Sequence, residues 1–178
     1  MGCLILVLLP LPASVLAVAA LSSLIGTDFV GKDGGDVYTY YLSLCGPLTS
    51  AAATALCTPD PASAVSACQT KSGPNWSAAF VIGMWPPASR WSFIDPANEF
   101  VGVQFTMIGA QQCYIDSDPV HPTLFDNYVA NVQLRCASSQ GPLTVATAPR
   151  SCVQNFTLST PLACPPPAAE RSIFLADE

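Results

Sequence analysis

The chain has 178 residues, enough for one substantial core, with 51% of positions hydrophobic and 10% charged. Twelve Asp and Glu stand against six Lys and Arg, a formal net charge of −6. No basic stripe is present to neutralise phosphates, which argues against nucleic acid as a partner. Seventeen Pro and 11 Gly cut the sequence into short apolar pieces rich in Val, Phe, Tyr and Thr, so short strands are expected rather than long helices, and the domain is predicted to be all-β.

At the N-terminus, Leu4 to Ala20 is almost wholly apolar, interrupted by Pro10, Pro12 and Ser14, and the first charged side chain is Asp28. This has the length of a secretory h-region. Ala17-Val18-Ala19 supplies the small residues a signal peptidase needs, so residues 1–20 read as a leader cleaved near Ala19 or Ala20. The missing basic n-region leaves a retained apolar anchor as the alternative. No second apolar stretch approaches the roughly 20 residues that cross a bilayer. Membrane attachment would then require that the N-terminal segment be kept, or that an anchor lie beyond this chain. The remainder divides into a body, residues 21–165, and a tail, 166–178, that is Pro-rich and then acidic.

Along the body, Val37 to Leu44 reads as an aromatic strand ending at Cys45, with Gly46-Pro47 turning the chain. Thr49 to Ala67, rich in Ala, Ser, Thr and Pro, reads as a surface loop carrying Cys57. Ala78 to Met84 and Phe100 to Ile108 are predicted strands, punctuated by Pro86-Pro87 and Asp95-Pro96. A polar loop from Asp116 to Pro122 leads into Tyr128 to Cys136. There Tyr128, Ala130, Val132 and Leu134 alternate with Asn131, Gln133 and Arg135, the period of a half-buried strand. After Cys152 the alternation places Gln154 and Phe156 on one face and Asn155 on the other. No internal repeat is visible.

Eight cysteines occur. With Cys3 in the leader, seven remain: Cys45, Cys57, Cys68, Cys113, Cys136, Cys152 and Cys164. No C-x-x-C pair is present and the chain has one His, so disulfides in an oxidising compartment are expected rather than a zinc site. Two sequons, at Asn75 and Asn155, agree with that compartment. Asp116, Asp118 and His121 carry the hard ligands of a cation site, but Asp-Ser-Asp-Pro is ordinary turn chemistry, and neither a metal nor a cofactor is predicted. No G-x-S-x-G, activated cysteine or positioned acid pair appears, so the chain is not read as an enzyme. Trp76, Trp85 and Trp91 could stack on a sugar or a partner, although an aromatic hairpin covering one end of a barrel is the simpler account.

The order of these pieces resembles the mannose 6-phosphate receptor homology family, in particular the repeats of the cation-independent receptor. The resemblance rests on Leu21-Ser22-Ser23-Leu24, on Tyr40 to Leu48 ending in Cys-Gly-Pro-Leu, on Ala67-Cys68-Gln69, and on Cys113, Cys136, Cys152 and Cys164. The last two are eleven residues apart, with Cys164 in Leu162-Ala163-Cys164. It implies a flattened β-barrel or sandwich of two antiparallel sheets, stapled by disulfides, with sugar held at one mouth. It also implies crossed bridges, Cys113 with Cys152 and Cys136 with Cys164. Cys45 with Cys68 is then the third pair and Cys57 the leftover, with Cys45–Cys57 as the alternative.

In that family a Gln, an Arg, a Glu and a Tyr orient the mannose hydroxyls. Carried onto this chain, only the Gln remains, as Gln69. Tyr128 stands where the Arg is expected, eight residues before Cys136; Thr144 replaces the Glu and Gln154 the Tyr. A phenol cannot replace a permanently charged donor fork, so ordinary mannose 6-phosphate binding is not expected. The ligand-binding candidates are Gln69, with Tyr128 and Gln154 as further members of a remodelled mouth. Two functions follow from the resemblance. One is a structural or protein-interaction module of Golgi, endosome or lysosome trafficking, binding a secretory-pathway protein. The other is a receptor for glycan or glycoprotein cargo built around Gln69. Either places the chain in the secretory lumen or outside the cell.

Overall fold

The alternation read in the sequence becomes two packed sheets in the computed structural model, which describes residues 6–8, 15–17, 24–32, 38–58, 64–73, 76–87, 91–115, 124–147 and 152–165. The expected cleavage position near Ala19 or Ala20, Asn75, the loop bearing Asp116, Asp118 and His121, and the tail 166–178 lie outside the described residues. Within the apolar N-terminal segment, β1 (Leu6–Leu8) pairs antiparallel with β2 (Val15–Ala17).

One sheet holds four antiparallel strands in chain order: β3 (Asp28–Lys32), β4 (Thr39–Ser43), β5 (Val65–Gly73) and β6 (Trp76–Met84). The other has five: β7 (Ser92–Phe93), β8 (Gly102–Ile115), β9 (Leu124–Cys136), β10 (Leu143–Thr147) and β11 (Val153–Thr160), in the order β10-β11-β9-β8-β7. One strand pair of the expected two-sheet sandwich departs from the antiparallel pattern. β11 runs parallel to β9, from Val153 opposite Val129 to Thr160 opposite Cys136. The chain leaves β9, travels to the sheet edge to form β10, and returns by a hairpin into the gap, which forces β11 into the direction of β9.

The core lies between the sheets. Tyr40, Leu42, Met107, Val132, Leu134, Phe156 and Leu158 are buried there. On β9 the inward residues are Ala130, Val132 and Leu134, as the period of two requires. Each fully buried Leu or Phe contributes about 1.5–3 kcal/mol. The two sheets approach closely along one edge, where the Gln111 side-chain oxygen accepts a hydrogen bond from the Val81 N–H of β6 at 2.6 Å.

A second, smaller core lies on the outer face of the four-stranded sheet. Where the sequence reads as a surface loop, Ala51–Cys57 forms the helix α1, and β5 begins at Val65. The reason is local. Ala is the strongest helix former, and the Ser50 hydroxyl caps the helix by accepting from the Ala53 N–H. The Asp28 carboxylate accepts from the Thr49 and Ser50 N–H groups just before it. Ala53 and Cys57 then pack on Leu48, Val65 and Cys68.

That arrangement overturns the expected pairing of Cys45 with Cys68. Cys68 is bonded to Cys57, so Cys57 is no leftover, and the alternative Cys45–Cys57 bridge is excluded too. Cys68 points outward, beneath α1, whereas Cys45 belongs to the core between the sheets. The two sulfurs sit on opposite faces. Cys45 is itself disulfide-bonded, and no described cysteine is free. The other two bridges are crossed in the manner the resemblance implies, Cys113–Cys152 and Cys136–Cys164. The result is an all-β sandwich stapled by disulfides, with no described helix long and apolar enough to cross a membrane.

Candidate ligand-binding end of the sandwich

Strand register decides which candidates share a surface. In the four-stranded sheet Tyr40, Gln69 and Phe80 stand opposite one another on β4, β5 and β6. Tyr40 and Phe80 face the inter-sheet core, so Gln69 points inward between them. Lys71, two residues along β5, is on the same face nearer the end of the strand. In the facing sheet Tyr128 precedes Ala130 along β9, and Gln154 is the register partner of Ala130 on β11. The two sets meet through Phe80 and Tyr128, whose ring centroids are 6.0 Å apart. Tyr38, Gln69, Lys71, Phe80, Tyr128 and Gln154 therefore lie at one end of the sandwich.

This end is aromatic and carries a cation. The Lys71 ammonium stands 5.3 Å from the ring centroid of Tyr38 and 5.9 Å from that of Trp76, within the range of cation–π attraction. Trp76 is 52% exposed, one of the most open large apolar side chains of the described residues. Tyr128 is half-buried; burial, and secondarily the neighbouring Tyr38, push its phenol above the ordinary value of 10.0. Deeper in, the Tyr40 ring meets Phe156 edge-on at 5.8 Å and closes the floor.

Gln69 has a distinctive environment. Its residue is 6% exposed, and its Oε1 is buried with no hydrogen-bond partner in the protein. A buried amide oxygen left unpaired costs about 1–3 kcal/mol. Gln154, 2% exposed, is buried on the neighbouring wall.

The remaining sequence candidates separate from this group. Thr144 lies on the outer face of β10, exposed, with its hydroxyl donating to the Thr157 carbonyl at 3.1 Å. It cannot contribute to the same end as Gln69. Trp91 packs into the core against Phe105, ring centroids 4.0 Å apart. Trp85 is half-buried, and its backbone N–H donates to the Ala64 carbonyl. Asn155 is exposed on the outer face of β11. Sequence reading missed Tyr38, Lys71 and Phe80 as members of the end. Their signal was present, since Tyr38 and Lys71 stand two residues from Tyr40 and Gln69 in strands of period two. Among the described residues, no cluster of three or more His, Cys, Asp or Glu could hold a metal ion.

The fold is shared with a receptor domain of known structure. Domain 11 of the echidna mannose 6-phosphate/IGF2 receptor, solved by NMR, superposes with a TM-score of 0.55, covering 90% of this chain and 94% of that domain. The two are 20% identical in sequence, so the likeness is one of fold. No protein-family model and no curated protein matches the chain.

Proposed function

We propose that the chain is a non-catalytic, receptor-type binding module of the secretory pathway that holds a protein partner at the end bearing Tyr38, Lys71, Trp76, Phe80 and Tyr128. In this reading residues 1–20 direct the chain to the lumen and residues 21–165 form the module. The observation that carries it is Tyr128 lying against Phe80 where the resemblance calls for an Arg. An aromatic end with an open Trp matches the anchor-rich centre of a protein interface. It lacks the charged donor fork that a phosphorylated sugar needs. The receptor fold of the solved domain supports the same class.

A second reading has its own observation, the unpaired Gln69 Oε1. A sugar hydroxyl would satisfy it, which supports glycan or glycoprotein cargo held around Gln69, with Gln154 alongside.

One experiment separates the two: quantitative capture of partners from secretory-pathway extracts, before and after enzymatic deglycosylation, using the wild type, Trp76→Ala and Gln69→Ala. The protein-binding reading expects a saturable partner that survives deglycosylation and weakens at least tenfold with Trp76→Ala, about 1.4 kcal/mol. Binding abolished by deglycosylation and by Gln69→Ala would transfer the assignment to glycan. Saturable binding unaffected by either substitution would remove this end of the sandwich from consideration.

A further inference from the structure

The outer face of the five-stranded sheet carries a groove of about 310 Å³ lined by Ser92, Gln104, Thr106, Asn131, Gln133 and Asn155. Register builds it from two rows across the sheet. Thr106, Asn131 and Asn155 form one, and Ser92, Gln104 and Gln133 the other, continuing into Thr157. Each of these groups is a neutral hydroxyl or carboxamide. Thr106 Oγ1 donates to Asn131 Oδ1 at 3.0 Å, Asn131 Nδ2 to Asn155 Oδ1 at 3.2 Å, and Gln133 Nε2 to Gln104 Oε1 at 3.4 Å. The last two are at or beyond the long limit of a good amide hydrogen bond, so little is lost when a ligand hydroxyl replaces them. None of the six is charged; the one cation bordering them, Arg135, already donates to Gln133 Oε1 at 3.4 Å, and an apolar ligand would leave amides unpaired. The chemistry that fits is a neutral, hydroxyl-rich sugar, and the volume sits at the lower end of the roughly 300–1,000 Å³ of small-molecule sites.

The groove begins at a sequon. Asn155 and Thr157 face outward on β11 while Phe156 is buried between them. The bond from Asn131 uses the Asn155 carbonyl oxygen, leaving Nδ2, the atom to which a glycan is joined, outside that bond. We propose that this groove seats the chain's own N-linked glycan, with the first two sugars on Asn155 lying across Asn131 toward Gln104 and Gln133. Attachment forms the Nδ2–C1 bond as the C1–O bond to a lipid-diphosphate donor breaks. The diphosphate leaves with the electron pair and Nδ2 loses one proton. Once tethered, the sugars face the groove at an effective concentration on the order of millimolar or higher, so weak polar contacts suffice to hold them. The inference shares with the proposed function only the secretory compartment, and the two faces are tested separately.

The test uses the full chain secreted from a glycosylating host, with Asn75→Gln so that Asn155 carries the only glycan. An endoglycosidase that cuts between the first two sugars should act slowly on the native protein. Gln104→Ala with Gln133→Ala should speed cleavage about tenfold, the effect of losing two polar contacts, at an unchanged thermal midpoint. Independently of any variant, the native glycoprotein should show nuclear Overhauser contacts from the first sugar to the Asn131 side chain. Equal cleavage rates in a folded variant, absence of those contacts, or a bare Asn155 by mass spectrometry would each overturn the proposal. Unglycosylated Asn155→Gln titrated with free N,N′-diacetylchitobiose separates the sources of the sugar. Saturation well below millimolar would assign the groove to a foreign glycan and overturn the tethered one.

Discussion

Tyr128 shows how one residue sets the character of the end it shares with Phe80. A permanently charged side chain at that position could not settle against Phe80 without losing its hydration, whereas a phenol can, keeping its proton. Burial first, and Tyr38 second, raise the Tyr128 pKa above 10.0. The native state therefore holds this proton to higher pH than the unfolded chain does, and by linkage the associated stability is intact below about pH 10 and declines as pH rises through the folded value. Tyr128→Phe should remove that part of the alkaline decline while leaving stability near pH 7 within about 1 kcal/mol. Denaturation midpoints of wild type and variant at pH 8 and above pH 10, with phenolate absorbance followed in parallel, check it. A decline of equal slope in both proteins would assign the alkaline loss to other groups. Gln69 carries the complementary lesson: its type and position after Cys68 were legible in the sequence. Its unpaired oxygen was not, because that depends on Tyr40 and Phe80 arriving from two other strands.

At the scale of elements, α1 and its bridge are the feature that changed most between sequence and structure. Ala51–Cys57 sits in a stretch crowded with Ser, Thr and Pro, and composition alone reads it as loop. The capping Ser50 and the Asp28 carboxylate that bonds Thr49 and Ser50 come from separate places in the chain, the second from β3. The helix is too short to stand alone, so the Cys57–Cys68 bond and the small core beneath it hold it in place. A bridge with a sequence separation of 11 is expected to contribute about 3 kcal/mol on the chain-entropy account. Cys57→Ala with Cys68→Ala should lower unfolding stability by about that amount in denaturant titrations, and peptide mapping should recover Cys57 linked to Cys68. Recovery of Cys45 linked to Cys68 would overturn the arrangement. The strands with clean alternation, β9 and β11, were legible because each is half-buried. β3 and β10 were not predicted: β3 is only five residues long and includes a Gly, and β10 is five residues of mixed character. The parallel placement of β11 beside β9 is a matter of long-range topology that local pattern does not encode.

For the whole molecule, the two sheets are brought together at places where a side chain would not fit. At Gly109 on β8, an added Cβ would collide with the Val81 carbonyl of β6; at Gly31 on β3 it would come within 2.9 Å of the Leu143 carbonyl of β10. Both obstacles are backbone, which cannot rotate away. Gly109→Ala should therefore cost about 2–3 kcal/mol, the scale of overpacking a close contact, seen as a lower denaturation midpoint. An unchanged midpoint would mean that β6 and β8 stand further apart in solution. The crossed disulfides give the finished body a further property, that of a mechanical coupling. Tension applied beyond Cys164 passes through sulfur to Cys136 and enters β9 directly. The intervening stretch with β10 and β11 is tied a second time, through Cys152 to Cys113 of β8. With the Cys136–Cys164 bond reduced, Cys152 stays tied to Cys113; only when both bonds open can the 28 residue steps from Cys136 to Cys164 extend, about 100 Å of chain. A reducing compartment would thus convert a short stiff coupling into a long compliant one, with no change in sequence.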